Sequence, residues 1–195
     1  DGTKNKSKLG ANAILGVSLA CARAAALIQK KELYVYIHQI SKVKQKIALP
    51  HPFFNVINGG KHADNKLSFQ EFMITPRMSS FAENLRVGSE IYHVLKKNLH
   101  QTYKQGSTNI GDEGGFAPAQ LQNAEEALDM LMKAIKDAGY LGKVDLAMDV
   151  AASEFFHDGK YMVEGKKLTA AKLMHYYLYL IKKYPIISLE DPFDQ

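Results

Sequence analysis

Residues 144–191 read VDLAMDVAASEFFHDGKYMVEGKKLTAAKLMHYYLYLIKKYPIISLED. The stretch opens on an apolar run, VDLAMD (144–149), and closes on another, IISLED (186–191). Between them, SEFFHDGKYMVEGKKL (153–168) reads as a hairpin, because Asp158-Gly159 supplies a tight turn. Thr169 then caps a Leu/Tyr-rich helix that ends before Pro185. Two short apolar runs separated by a helix predict parallel strands in an α/β sheet covered on both faces. In such sheets chemistry gathers beyond the C-terminal strand ends. Both runs end on acids, Asp149 in the first and Glu190-Asp191 in the second.

Working outward, FFNVIN (53–58) predicts a strand stopped by Gly59-Gly60, and FQEFMI (69–74) a second one closed by Pro76. Ser80 and Glu83 form a capping box for a helix whose predicted apolar face is Phe81, Leu85, Ile91, Leu95 and Leu99. Asn123 and Glu126 repeat the signal for a helix with Leu128, Leu131 and Ile135 inward and Gly139 at its end. The order from residue 53 is thus β-β-α-α, then β, hairpin, α, β. Residues 10–31 predict a buried, Ala-rich helix, KVKQK (42–46) a solvated connector, and Pro50 and Pro52 a break. The expected domains are 1–46 and 47–195.

Composition narrows the function. The 195 residues are 46% hydrophobic and 23% charged, with a net charge of +5, an ordinary globular mixture. The lysines are scattered, so no nucleic-acid surface is expected. A single cysteine, Cys21, excludes a disulfide framework and fits a reducing, cytoplasmic setting. KNKSK followed by AILGVSLACA imitates a signal peptide, but the apolar pattern continues past Arg23. No run is expected to approach the roughly 18 residues of a membrane span. Asp1 in place of Met, and Gln195 in what reads as a loop, lead us to expect that both ends are cut.

Further acids and a histidine fall near the glycines. TNIGDEGGFAP (108–118) places Asp112 and Glu113 beside Gly114-Gly115, Glu71 lies inside FQEFMI, and His62 lies between two strands in GGKHADNK. An acid after a strand is often only a cap or turn former. Glu71 resists that reading, since acids are seldom buried without partners. His62 alone would more often be a satisfied loop histidine than a ligand, and Tyr176, Tyr177 and Tyr179 read as helix packing. Carboxylates at neighbouring strand ends suit a hard cation such as Mg²⁺. Zinc is disfavoured by the one cysteine and the absence of a His pair at ligand spacing. No serine elbow or phosphate-loop lysine is present.

Five segments in order resemble the enolase family: NKSKLGANAILGVSLA, FNVINGGKHADNKLSFQEFMI, TNIGDEGGFAP, MDVAASEFF and SLEDPFDQ. The resemblance implies the helical end of an α+β N-terminal domain followed by the first half of an enolase-type, TIM-like α/β barrel. It implies a lyase of glycolysis, phosphopyruvate hydratase, which dehydrates 2-phosphoglycerate to phosphoenolpyruvate with Mg²⁺ as cofactor, and typically a homodimer. By the same resemblance Asp149 and Glu190 are metal ligands, Glu190 also lying at the substrate. Glu113 is the acid that protonates the departing hydroxide, Glu71 its partner carboxylate, and His62 the histidine of a loop that closes on substrate. The like charges of Asp112 and Glu71 are expected to raise the pKa of Glu113. The family's third metal-binding Asp, its Lys base, and its substrate-gripping Arg and Lys are expected beyond Gln195, and a further Ser contact to a second metal before Asp1.

The sequence also departs from the family pattern. Lys61-His62-Ala63-Asp64 stands where Ser-His-Ala-Gly is common, Ala119 stands where Asn is usual, and the stretch after Tyr161 is shorter. An enolase-derived chain that is catalytically incomplete and serves as a binding protein is the alternative reading. Unpaired strand edges in half a barrel lead us to expect association of the isolated chain.

Overall fold

The computed structural model describes residues 1–111 and 113–195; the expectation for Asp112 lies outside them. Two compact units emerge, Asp1–Leu49 and Pro50–Gln195. The first is a pair of helices, α1 (Ala11–Ile28) and α2 (Leu33–Ser41). The sequence predicts only one of them, because LYVYIHQIS carries no capping side chain to announce its start. It predicts burial of α1, yet Ala26 is its only buried residue. One nine-residue helix cannot enclose an 18-residue apolar one, so Leu15, Val17, Leu19, Leu27 and Ile28 stay exposed within this unit. On length and composition alone α1 is long and apolar enough to cross a membrane, with a mean hydropathy of 1.7. That corrects the expectation that no run approaches this length.

The second unit is built on four strands, β1 (Phe54–Asn58), β2 (Glu71–Pro76), β3 (Val144–Asp149) and a C-terminal strand, Ile186–Glu190. Two helices, α3 (Phe81–Tyr103) and α4 (Ala124–Asp137), connect β2 to β3. A meander of β4 (Phe156–His157), β5 (Lys160–Val163) and β6 (Lys166–Leu168), then helix α5 (Ala170–Lys183), lead to the C-terminal strand, which is β7. The sheet order is β1-β2-β3-β7. Only β3 and β7 are parallel; β1–β2 and β2–β3 are antiparallel. A wholly parallel sheet is therefore not what forms. The helix-free link from β1 to β2 reverses the chain, and α5 provides the one crossover that parallel pairing needs.

The cap residues act as read, while Glu83 pairs with Arg86 and does not complete the capping box. Ser80, Asn123 and Thr169 each accept a hydrogen bond from the backbone N–H three residues on. Asp158 and Gly159 both have positive φ, as the turn between β4 and β5 requires, and Glu164-Gly165 repeats that geometry before β6. Leu128, Leu131 and Ile135 are fully buried. The face of α3 is corrected: Leu85 is exposed, and the buried stripe runs through Asn84, Val87, Gly88, Ile91, Leu95, Asn98 and Leu99. Asn84 is inside because its Oδ1 accepts from Met78 N at 2.7 Å, and Gly88 because the Phe54 ring lies against it.

The core joins the buried sides of α3 and α4 to Phe72, Ile74, Leu146 and Met148. Around Phe69, the rings of Phe72, Phe155, Tyr176 and Tyr177 form an aromatic cluster. Tyr177 thus packs as expected, whereas Tyr179 is exposed and donates its hydroxyl to Glu125. Glu164 ties the meander to two helices, accepting from Ala124 N and from the Tyr176 hydroxyl.

Candidate active site

Strand register builds the site. Asn58 pairs with Glu71, Glu71 with Asp149, and Asp149 with Glu190. One row across four strands therefore carries three acids at one edge of the sheet. Strands β1, β3 and β7 end there, while β2 begins there. Glu71 is the first residue of its strand, not an interior one as FQEFMI suggests. Because β2 runs the opposite way, its start shares the edge with the ends of its neighbours. The apolar run begins early because Phe69 is buried ahead of the strand.

Glu113 arrives from the glycine loop. Its Oε2 accepts from Asn55 Nδ2 at 3.2 Å. His62, in a 3₁₀ turn (Gly60–His62) after β1, places Nδ1 3.4 Å from Glu113 Oε2 and 3.7 Å from Glu71 Oε1. These are contacts of ion-pair length without hydrogen-bond geometry. Two glycines make the approach possible. A Cβ on Gly111 would lie 2.6 Å from the His62 carbonyl oxygen, and one on Gly115 would lie 2.2 Å from Asn58 Oδ1. The loop is pinned by Asn58 N donating to Phe116 O and Phe116 N donating to Val56 O.

The electrostatics divide the acids. Burial, a hydrogen bond with Glu113 and the charges of Glu113, Asp149 and Glu190 push the Glu71 carboxyl up to about 8. Glu113 moves the other way: the hydrogen bond from Glu71 holds it below the usual carboxylate range, with His62 and Asn55 assisting. The expectation that Glu113 has the raised pKa is thus corrected. Exposure explains the difference, since the side chain of Glu71 is 13% exposed and that of Glu113 46%. Burial and then the Asp191 charge raise Asp149, while the Asp149 charge and then burial raise Glu190. Asp149 accepts from Ala151 N at 3.0 Å and from Gln70 Nε2 at 3.3 Å.

Which residues could hold a metal follows from the donors. One ligand atom from each of His62, Glu71 and Glu113 lies within 4.8 Å of the others. Asp149 and Glu190 add an all-oxygen pair, next to each other in register; burial raises the first and the Asp149 charge raises the second, and a cation between them would relieve both. Asn58 was missed by the sequence reading. It is buried at the end of β1, its amide lacks partners among the described residues, and its signal was only its place before Gly59-Gly60. A cavity of about 660 Å³ is lined by Lys61, His62, Asp64, Asn109 and Gln120 among others, and by none of the four acids.

Fold and site together define a class: an α/β protein with carboxylates gathered at one end of its strands. Comparison with known proteins specifies it. The family model "Enolase, C-terminal TIM barrel domain" matches residues 46–195, and "Enolase, N-terminal domain" matches residues 1–37. The chain is similar to the enolase of Methanocaldococcus jannaschii, with 54% identity over 196 residues, covering all of this chain and 45% of that relative. The chain belongs to the enolase family. Its four-stranded sheet is an unclosed part of the enolase barrel, and the chain spans less than half the length of the curated relative it matches.

Proposed function

We propose that this chain carries the acidic wall of an enolase site, acting in the Mg²⁺-dependent, reversible dehydration of 2-phosphoglycerate to phosphoenolpyruvate. The observation that carries the reading is the row Glu71, Asp149, Glu190 in direct register, faced by Glu113 and His62. A cation or a shared proton offsets the repulsion of carboxylates held this close together.

In this reading Asp149 and Glu190 hold Mg²⁺. When bound, the ion supplies positive charge against the extra negative charge that forms when a carboxylate substrate loses its α-proton. Enolase-superfamily sites are themselves the standard illustration of a Lys or His base working beside one or two Mg²⁺. In this reading that lysine is supplied from outside these 195 residues. What the chain's own residues do is manage the proton for the leaving hydroxide. Near neutral pH Glu71 keeps its proton and shares it with Glu113, the more exposed of the two. Glu113 is turned by Asn55 and relays the Glu71 proton to the substrate hydroxyl, which leaves as water; the pair then regains one proton from solvent before the next turnover. His62 stands beside both carboxyl groups, where it limits water and offers a ring N–H to an anionic ligand.

Calorimetric titration of the chain with Mg²⁺ tests this. Wild type is expected to bind, and to lose the ion as pH is lowered, because protons compete for Asp149 and Glu190, both of whose carboxyls are raised. Asp149→Asn is expected to weaken binding at least tenfold, roughly the effect of losing one charged ligand. Equal affinity of wild type and Asp149→Asn would remove the metal from this site. Retained Mg²⁺ binding, with no turnover by the whole protein, would favour the alternative of a binding protein.

A further inference from the structure

His62 sits on a thinly held segment. The chain from Gly59 to Gln70 is closed at its base by Gly59 N donating to Gln70 O and Gly60 N to Leu67 O, with Leu67 buried. Between those closures, and besides the contacts of His62 with Glu71 and Glu113, three side-chain ties among the described residues attach residues 61–66 to the rest of the unit. Asn65 Nδ2 donates to Asn58 O at 2.9 Å and Lys66 Nζ to Gln122 Oε1 at 2.9 Å. The third is an ion pair between Lys61 and Glu154. Its two ends differ. Lys61 is a long, exposed side chain on the segment itself, whereas Glu154 stands on the 3₁₀ turn Ala152–Phe155 that follows β3. That turn is rigidly placed: Ala152 and Phe155 are buried, and Ala152 N donates to Asp191 O. The imidazole next to Lys61 has no hydrogen bond of its own at Nδ1 to fix it.

We propose that the Lys61–Glu154 ion pair is a clasp that holds the His62 turn over the Glu71–Glu113 pair, making Lys61 and Glu154 positioning residues for the site. The inference rests on reading His62 as part of that site, and it adds an electrostatic control. The segment is held by an attraction that salt screens, between residues 61–66 and the 152–155 turn, which share no backbone hydrogen bond among the described residues. With the clasp closed, His62 Nδ1 stays within 4 Å of both carboxyl groups, at the distances seen here. With it open, the side-chain hydrogen bonds of Asn65 and Lys66 and the backbone bond from His62 N to Gly59 O remain, and the imidazole loses its fixed distance to the acids.

The test is hydrogen exchange of the peptide spanning residues 59–67 in the full chain, read together with the His62 ring resonances. Lys61→Gln and Glu154→Gln are expected to speed exchange by up to about fivefold, the range that an exposed ion pair of about 1 kcal/mol supplies. They are also expected to move the His62 resonances toward those of a free histidine. Lys61→Arg, and the swapped pair Lys61→Glu with Glu154→Lys, are expected to restore both readouts. Added salt should loosen wild type and leave Lys61→Gln unchanged. Exchange and ring positions identical in Lys61→Gln and wild type would overturn the clasp, as would a charge swap that fails to rescue. Neither readout needs Mg²⁺ or turnover, so a failure of the proposed enolase reading would be visible separately.

Discussion

Glu71 shows most clearly how placement sets chemistry. Its side chain is held beside three other acids and largely out of water, so its carboxyl titrates near 8 in place of the ordinary 4.5. The consequence for stability has a definite sign. Between about pH 4.5 and 8 the folded chain binds more protons at Glu71 than the unfolded chain does, so this contribution is lost as pH rises. Glu113, whose carboxyl is lowered, contributes in the opposite sense, and its share is lost as pH falls. Glu71→Gln mimics the protonated acid. In metal-free buffer its melting temperature is expected to match wild type near pH 5 and to exceed it at pH 8.5, the gap widening steadily through the interval. A gap independent of pH would show that Glu71 titrates as an ordinary glutamate. The sequence marked Glu71 as odd, since an acid in an apolar run has no bland explanation. It could not show where the proton sits, because that depends on relative burial of two residues 42 positions apart, and the raised pKa was therefore assigned to the wrong one of the pair.

Elements whose signals are local were legible, and those set by tertiary partners were not. Caps at Ser80, Asn123 and Thr169, the Asp158-Gly159 turn and the acids at the ends of β3 and β7 all follow from side chains acting on nearby backbone. The face of α3 did not follow, because counting apolar residues overlooks Asn84, Gly88 and Asn98, which are buried through partners on other elements. The reversed β2 was missed for a related reason: strand direction is a property of the sheet. The glycine loop is the element where sequence and packing agree. Gly115 is present because Asn58 stands where a Cβ would be. Gly115→Ala is expected to destabilise the chain by about 1–3 kcal/mol, as overpacking a tight contact does. It should also shift the Asn58 and Glu113 resonances. A thermal melt superimposable on wild type would mean that the loop yields freely.

At the scale of the molecule, the second unit is a sheet and helices organised around one edge, and that edge explains why the family's segments lie where they do. NVIN, QEFMI, MDVAA and SLEDP are far apart in sequence, yet they all meet at the row from Asn58 to Glu190. The first unit contributes no member of that row. The central claim is that this row, and no other group of acids on the chain, is where a divalent cation settles. Paramagnetic broadening by Mn²⁺, used as a stand-in for Mg²⁺, measures that directly. Backbone resonances of Glu71, Met148–Val150 and Leu189–Asp191 are expected to broaden first as Mn²⁺ is added, and Asp149→Asn should abolish the effect. Broadening centred instead on surface acids such as Glu83, Glu90 or Glu125, with the row untouched, would contradict the account.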